Sequence, residues 1–341
     1  MKKLILSASI FALLASCSSS KNASNIDLNV DYAEKYAASI TEKDLAKHLF
    51  IYASDEFEGR ETGEPGQKKS AAYLKKFYVD QGISSPLGGD DYFQEIPASF
   101  LNQGRSSDLK DSENVVAFIK GSERPDEVII VSAHLDHIGI TGGKINNGAD
   151  DDGSGTVAVL EIAEAFQKAV KDGKRPKRSV LFLHVTAEEK GLLGSSFYVQ
   201  NPIFPIANTV ADLNIDMVGR IDDRHTNNRN YVYLIGADKL STELHELSEA
   251  MNAKYTKIDL DYKYNDESDP NRFYYRSDHY NFAKYNVPII FYFNGTHADY
   301  HKDTDTPDKI NYDLLQNRAR LIFHTAWEIA NRENRLIVDK P

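Results

Sequence analysis

The chain has 341 residues, 41% of them hydrophobic and 27% charged, and its formal net charge is −11. This length is enough for one large domain or two small ones. Because an acidic chain repels phosphate backbones, the charge argues against a nucleic-acid partner. Beyond the N-terminal segment no apolar run reaches the length of a transmembrane helix, so we expect the remainder to form a globular body.

The N-terminus has the pattern of an export signal: two lysines, a short apolar run, and small residues that end at Cys17. Residues 14–17, Leu-Ala-Ser-Cys, resemble a bacterial lipobox, in which cleavage falls before a cysteine that carries acyl chains. Cys17 is the single cysteine of the chain, so no intramolecular disulfide can form. The alternative is a plain secretory signal with an incidental cysteine.

These features predict three segments. Residues 1–17 would be a lipoprotein signal with the lipobox Cys17, residues 18–30 a flexible tether, and residues 31–341 a single domain. Since several acyl chains give stable attachment, we expect the chain in the bacterial cell envelope, periplasmic or at the outer membrane. Lipidated Cys17 would be its sole contact with the membrane.

Short β-branched runs alternate with helical patterns along the rest of the chain. Strands are predicted at 114–119, 127–131, 179–185, 211–216, 231–235 and 287–293, and helices at 156–166, near 195–199 and from 312 to about 332. This alternation favours an α/β sheet covered by helices on both faces. Ligands of such sheets collect at the carboxyl ends of the strands, so the residues after each strand are the candidates for a site.

A histidine and a carboxylate stand two residues apart after the strand at 127–131, as His134-Leu135-Asp136-His137. Alternation along an extended segment puts His134 and Asp136 on the same side. A carboxylate that accepts the far N–H of a ligand histidine fixes its tautomer and raises its basicity. His134 is therefore a candidate metal ligand and Asp136 its orienting partner, although such pairs are common by chance.

Three adjacent carboxylates, Asp150, Asp151 and Asp152, precede Gly153-Ser154-Gly155 and a predicted helix. A solvated turn with a helix N-cap would account for one acid. It does not account for three that repel one another. A dication would neutralise the group, so the segment favours metal binding.

Further acids and a histidine follow the later strands. Glu188 and Glu189 follow the strand at 179–185, and their side chains should point in different directions, so one could bind metal while the other faces a bound water. Asp216 ends an apolar strand, where a carboxylate is costly unless it is paired or metal-bound. His301 follows the last predicted strand.

Together these positions form a set that chance does not explain. Imidazole and carboxylate donors without thiolate suit Zn²⁺ in a catalytic rather than a closed structural site. Two histidines and three carboxylates divide naturally into two sites that share one bridging acid. The five candidate ligands are His134, Asp151, Glu189, Asp216 and His301.

With these motifs the sequence resembles the M28 family of zinc aminopeptidases over most of its length. The resemblance implies a three-layer α/β/α sandwich with a central mixed, mostly parallel sheet, two Zn²⁺ per chain, and peptide substrates cleaved at the amino end. It assigns His134 and Asp216 to one zinc, Glu189 and His301 to the other, and Asp151 to both. Asp151 is preferred to Asp150 because the family motif counts back from Gly153-Ser154-Gly155.

The resemblance also implies two catalytic groups. Glu188 would be the general base, and Tyr300, just before the late histidine, would hydrogen-bond the oxyanion. Two other functions stay open on this fold. One is a glutaminyl cyclase with a single zinc, although such enzymes usually have Trp where this chain has Tyr300. The other is a binding domain without catalysis, as in relatives that lack ligands.

Other residues near the motifs are less informative. We expect His137, His184 and His297, which lie outside the ligand pattern, to be structural or to orient the ligands. Residues 276–279, Arg-Ser-Asp-His, would either border the substrate cleft or cap a helix. The aromatic residues between Phe273 and Phe293 would line an apolar pocket or belong to the core.

Overall fold

The chain divides after Asp31 into two units, Met1–Asp31 and Tyr32–Pro341. The computed structural model describes residues 30–340. The predicted signal, Cys17 and almost all of the predicted tether lie outside the described residues. Among those residues there is no helix with the length and apolar character needed to cross a membrane.

A mixed eight-stranded sheet runs through the larger unit, and a two-stranded ribbon, β4 and β5, lies beside it. The strands are β1 (Phe93–Ile96), β2 (Ser112–Ile119), β3 (Arg124–His134), β4 (Ile140–Thr141), β5 (Lys144–Ile145), β6 (Arg178–Val185), β7 (Thr209–Ile215), β8 (Tyr231–Ile235), β9 (Asp259–Asp261) and β10 (Ile289–Phe293). Across the sheet the order is β1-β2-β6-β3-β7-β10-β8-β9. Neighbours among β6, β3, β7 and β10 pair in parallel, whereas β2 and β8 run antiparallel to this group.

Helices cover both faces of the sheet. They are α1 (Tyr32–Ala37), α2 (Glu42–Tyr52), α3 (Pro65–Gln81), α4 (Ala98–Leu101), α5 (Gly155–Lys171), α6 (Leu193–Gln200), α7 (Thr242–Met251), α8 (His279–Ala283) and α9 (Tyr312–Asn331). Short 3-10 or π-helical turns lie at Asp55–Arg60, Ala149–Ser154, Ile206–Asn208, Asn252–Thr256, Lys263–Asn265, Phe273–Tyr275 and Pro307–Lys309. The predicted three-layer α/β/α architecture is confirmed.

Alternation along the strands explains the two helical layers. Val115 and Ala117 of β2 pack into the core that α2, α5 and α9 complete, whereas Val116 packs into the core that α6 and α8 complete. Phe182 and Leu183 of β6 divide between the same two cores. Strands buried on both faces read as continuous apolar runs, which is why these segments were recognisable in the sequence.

The parallel strands bring the candidate residues to one edge of the sheet. β3 ends at His134, and β7 ends at Ile215, one residue before Asp216. β6 ends at Val185, shortly before Glu188. Because the carboxyl ends of parallel strands share an edge, the loops after β3, β6, β7 and β10 meet there.

Candidate metal centre

Asp151 lies at the middle of the site and turns its two carboxylate oxygens in different directions. Its Oδ1 is 3.2 Å from Nε2 of His134, which is also 3.6 Å from Oδ1 of Asp216. These three side chains, all buried, are one of two groups of potential metal ligands. We call His134, Asp151 and Asp216 the first cluster.

The other oxygen of Asp151 faces a second group. Its Oδ2 is 3.0 Å from Nε2 of His301, which is 3.3 Å from Oε1 of Glu189. Nδ1 of His137 lies 2.9 Å from the same Glu189 oxygen and 3.9 Å from Asp151 Oδ2. We call Asp151, Glu189, His137 and His301 the second cluster. One carboxylate thus belongs to both, as a bridging ligand would.

Unpartnered polar atoms show that the clusters suit a metal ion. Within the described chain, His134 Nε2, His137 Nδ1 and Glu189 Oε1 are buried and have no hydrogen-bond partner. Each such group costs roughly 1–3 kcal/mol if left unsatisfied. All three atoms are donors of the two clusters, and imidazole with carboxylate is the donor set of catalytic zinc. The residues present therefore fit the ion.

Asp136 supports the site differently from the prediction. Nδ1 of His134 lies 3.0 Å from the main-chain carbonyl of Asp136, while the Asp136 carboxylate is 3.8 Å away. The carbonyl leaves Nε2 of His134 free for a metal. The carboxylate accepts instead from Thr62 and, at 3.1 Å, from the backbone N–H of Glu188. It therefore joins the loop after β3 to the loop after β6.

Glu188 and Glu189 have opposite electrostatic environments. Burial, Glu189 and Asp216 raise the pKa of Glu188 well above its usual range, although His134 opposes them. For Glu189, burial and Asp151 raise the pKa, but His137 and His301 outweigh them and bring it to about 2. Neighbouring acids whose pKa values are pushed apart commonly divide into a proton carrier and a charged group. Glu188 suits the first role and Glu189 the second.

The histidines and carboxylates of the clusters shift one another. Burial alone would lower the pKa of His134, but contacts with Asp136, Asp151 and Asp216 raise it well above its usual range. Burial would raise the pKa of Asp151, but His134 and His301 lower it well below its usual range. Without a metal ion, positive charge on the histidines stabilises the neighbouring carboxylates. A bound dication would supply that positive charge instead.

The other two acids of the 150–152 run hold loops together. Asp152 accepts from the backbone N–H groups of His134, Gly155 and Met217, at 3.1, 2.9 and 3.1 Å. It therefore ties the loops after β3 and β7 to the start of α5. A Cβ on Gly155 would lie 2.3 Å from Asp152 Oδ1, so glycine is required there.

Asp150 faces away from both clusters. It accepts from Gly219 N at 2.7 Å and from Asn294 Nδ2 at 3.0 Å, and it pairs with His297 at 3.1 Å. The preference for Asp151 over Asp150 as the candidate ligand therefore agrees with the geometry. Of the two roles expected for His297, the structure supports the structural one, because it contacts Asp150 and not a candidate ligand. His184 contacts Tyr78 at 2.7 Å in the buried core, as a structural residue.

The Arg-Ser-Asp-His segment borders the site, and none of its side chains makes a helix-capping hydrogen bond. The N-cap of α8 is Asp278, whose side chain makes no capping bond. Ser277 donates to Asp216 Oδ2 at 2.6 Å and so fixes that ligand, while Asp278 accepts from Ser195. Of the two roles predicted for this segment, the structure supports the cleft.

An open pocket lies beside the clusters. Catalytic candidates on its wall include Glu188 and Tyr300, and apolar wall residues are Met217, Phe273, Phe291 and Phe293. The phenylalanines also belong to a buried core, so the two expectations for them both hold. The Tyr300 ring stacks on His301 at 3.9 Å, and burial with Asp151 and Glu189 raises its pKa, which keeps the phenol protonated.

Two residues have contacts at the site that were not predicted from the sequence. His137 was expected to be structural or to orient the ligands; its side chain lies against Glu189 and Asp151, and its position directly after His-x-Asp was the available signal. Arg60 was given no role, yet it is buried and bonds the carbonyls of Leu135, Asn147 and Gly148 at 3.2, 2.6 and 2.9 Å. It thereby links the loop after His134 to the loop before Asp151. No local pattern around Arg60 indicated these distant contacts.

Comparison with known proteins agrees with this geometry. Residues 114–326 match the model of peptidase family M28. The chain belongs to peptidase family M28. This membership confirms the resemblance seen in the sequence.

Individual M28 relatives share parts of the chain. Leupeptin-inactivating enzyme 1 of Streptomyces exfoliatus is 29% identical over 255 residues, which are 74% of this chain and 48% of that protein. A probable glutamate carboxypeptidase of Arabidopsis thaliana is 37% identical over 109 residues, 32% of this chain and 14% of its own length. The matched part thus spans less than half of either curated relative.

Solved structures share the fold at low identity. LapB from Legionella pneumophila has a TM-score of 0.68 and 20% identity, over 89% of this chain and 75% of its own. The aminopeptidase from Aneurinibacillus sp. strain AM-1 has a TM-score of 0.66 and 16% identity, over 90% and 98%. These similarities establish the α/β/α fold of the M28 chain.

Proposed function

We propose that this M28 chain is a two-zinc exopeptidase that removes residues from the amino end of peptides, with Glu188 as general base. The observation that carries the proposal is Asp151, whose two oxygens face two separate ligand groups. Structures with this fold include one titled an aminopeptidase from Aneurinibacillus. A curated relative is named a carboxypeptidase, so the end of the peptide needs a direct test.

Zinc bound at such clusters lowers the pKa of a bound water and polarises the scissile carbonyl. The protein's part is proton transfer and positioning. Glu188, as its carboxylate, accepts the proton of the attacking water and delivers it to the leaving amine. Asp136 holds the backbone of Glu188 in place at 3.1 Å.

Tyr300 supplies a second catalytic contact in the proposal. Its pKa is raised by burial and by Asp151 and Glu189, so the hydroxyl keeps its proton and can donate to the oxyanion. Its ring packs against His301, which fixes its position beside the second cluster. The apolar wall formed by Met217, Phe273 and Phe291 would receive the side chain of the cleaved residue.

The proposal includes a location. Export and lipidation at Cys17 would hold the enzyme in the cell envelope, where its partners are peptides and not nucleic acid. Cys17→Ser should move the protein from the membrane fraction to the soluble fraction and abolish labelling with a fatty acid. Unchanged membrane association of this variant would contradict lipid attachment.

A peptide panel tests the activity. Peptides with free and with blocked amino ends are incubated with enzyme, with enzyme plus chelator, and with enzyme restored by zinc. We expect cleavage of the free peptides only, lost with chelator and recovered with zinc. Cleavage of blocked peptides at the same rate would contradict aminopeptidase activity, and cyclisation of amino-terminal glutamine without hydrolysis would indicate the cyclase alternative.

A further inference from the structure

His137 is a fully buried histidine that the resemblance to the family leaves without a role. Its Nδ1 lies 2.9 Å from Glu189 Oε1 and 3.9 Å from Asp151 Oδ2. Its backbone N–H donates to the carbonyl of Arg60 at 3.2 Å, which fixes the residue in the loop three positions after the end of β3. The ring therefore has a fixed backbone and faces two carboxylates.

The short contact between His137 and Glu189 is not a hydrogen bond. Among the described residues neither His137 Nδ1, His137 Nε2 nor Glu189 Oε1 has a hydrogen-bond partner. The 2.9 Å contact therefore leaves both atoms without a satisfied hydrogen bond. A buried imidazole with two unpartnered nitrogens is costly. Ligation through Nδ1 would satisfy the nitrogen that faces the carboxylates.

The distances around the second cluster suit donors of one ion. Donors at about 2.0–2.1 Å from zinc in tetrahedral geometry lie about 3.3 Å from each other. Here His137 is 2.9 and 3.9 Å from the Glu189 and Asp151 oxygens, and His301 is 3.3 and 3.0 Å from the same two oxygens. The rings of His137 and His301 lie 5.7 Å apart between centroids.

We propose that His137 is a protein ligand of the zinc ion in the second cluster. That cluster then has four protein ligands, Asp151, Glu189, His137 and His301, whereas the first has three, His134, Asp151 and Asp216. Four-ligand zinc sites are closed, and three-ligand sites keep a position for water or substrate. The second ion is therefore the more firmly held, and the open position belongs to the first.

This inference rests on zinc binding in the proposed function, so its test measures metal binding and not hydrolysis. His137→Ala removes the ligand, and His137→Asp restores an oxygen donor near the position of Nδ1. The matched control is His225→Ala, because His225 also lies between two carboxylates, Asp222 at 2.7 Å and Asp261 at 3.3 Å. Circular dichroism checks that each variant is folded.

Zinc per chain is measured during dialysis against chelators of increasing affinity, and Co²⁺-loaded protein is examined by visible absorption. Wild type and His225→Ala should keep one ion well after the other is lost. His137→Ala should lower the affinity for the firmly held ion by more than about 100-fold. Loss of a residue that contacts a ligand but not the metal typically lowers affinity by roughly 10–100-fold. The visible absorption of Co²⁺-loaded His137→Ala should also change. His137→Asp should recover most of the zinc retention and most of the wild-type cobalt absorption.

Two results would overturn the proposal: wild-type retention of both ions by His137→Ala, or weakened retention with an unchanged cobalt spectrum. The second pattern would make His137 a positioning residue for Glu189. Neither result would affect the proposed function if the wild-type enzyme hydrolyses peptides. Conversely, a wild type that binds zinc through His137 but cleaves no peptide would refute the function and leave the ligand in place.

Discussion

The two clusters share Asp151 but are built from different parts of the fold. His134 ends β3 and Asp216 directly follows β7, so the first cluster is set by neighbouring strands of the sheet. Glu189 and His301 come from loops, and the His301 side chain is 37% exposed. His137 also comes from a loop, three residues after the end of β3.

The two clusters therefore differ in what holds their ligands in place. Strand-end ligands inherit their positions from the hydrogen-bonded sheet, whereas loop ligands depend on packing between loops. Ser277 and the Asp136 carbonyl add further support to the first cluster. In the second cluster, the bond from the His137 backbone N–H to the Arg60 carbonyl holds one loop in place. Variants of the shared ligand and of the separate ligands test whether the two clusters differ in this way.

Asp151→Asn should have the largest effect, because it removes the charge that both clusters share. We expect loss of both ions and a fall in kcat/KM of at least about 10³-fold, the order that loss of a central catalytic group costs. Zinc per chain and peptide hydrolysis measure this. Asp303→Asn is the control, since this acid pairs with Lys144 outside the clusters. Retention of two ions by Asp151→Asn would contradict a bridging role.

Asp216→Asn should abolish metal binding at the first cluster and leave the second cluster occupied. It removes a donor of the first cluster only, so we expect about one zinc per chain to remain and hydrolysis to fall by about 10²-fold or more. Glu189→Gln should instead lose the ion of the second cluster. Metal analysis after identical dialysis compares the two variants. Loss of both ions from Asp216→Asn would show that the clusters do not bind independently.

Arg60→Lys should have an intermediate effect on both clusters. A lysine cannot donate hydrogen bonds to the carbonyls of Leu135, Asn147 and Gly148 at the same time. The loops that carry His134 and Asp151 should therefore become more mobile. We expect zinc affinity to fall by about 10–100-fold, as for outer partners of metal ligands. Arg229→Lys, at an exposed pair with Asp313, is the control. If Arg60→Lys and wild type have equal zinc affinities in competition with a chelator, Arg60 does not support the clusters.

Glu161→Gln should have the smallest effect on the clusters and a pH-dependent effect on stability. Burial, with Glu164 and Asp44, raises the pKa of Glu161 to about 8. In the unfolded chain the pKa of Glu161 is about 4.3. Between about pH 4.3 and pH 8, Glu161 is therefore ionised in the unfolded chain but protonated in the folded one, so the free energy of unfolding falls as pH rises. Glu161→Gln should therefore stabilise the protein above about pH 8 and make no difference below about pH 4.

Thermal unfolding across pH measures this effect, with zinc content unchanged. Glu123→Gln is the control, because Glu123 is exposed, pairs with Lys177 and does not act on Glu161. A stability gain that is equal at all pH values would show that Glu161 does not titrate as described.

The sequence was informative where local pattern determines position. Apolar runs predicted the central strands, and acids or histidines after them predicted the ligand candidates, because strand ends of a parallel sheet converge. Asp216 was expected within a strand and lies one residue beyond it. The helices α1 and α2 went unnoticed, since their packing against α5 and α9 is not a local signal.

Roles that depend on side-chain direction were not predictable in the same way. Asp150 and Asp152 differ from Asp151 only in where their carboxylates point, and loop packing sets that direction. Asp136 was expected to contact His134 through its carboxylate, but its carbonyl does so. Arg60 acts through carbonyls that are distant in sequence and lie on other loops, which a single sequence does not reveal.

The most direct test of the two-cluster site with its separate base is Glu188→Gln, which keeps the shape of the side chain and removes its proton-accepting group. We predict two zinc ions per chain, as in wild type, with hydrolysis of peptides that have a free amino end reduced by at least about 10³-fold. Wild-type turnover in Glu188→Gln, or its loss of zinc together with activity, would contradict the account.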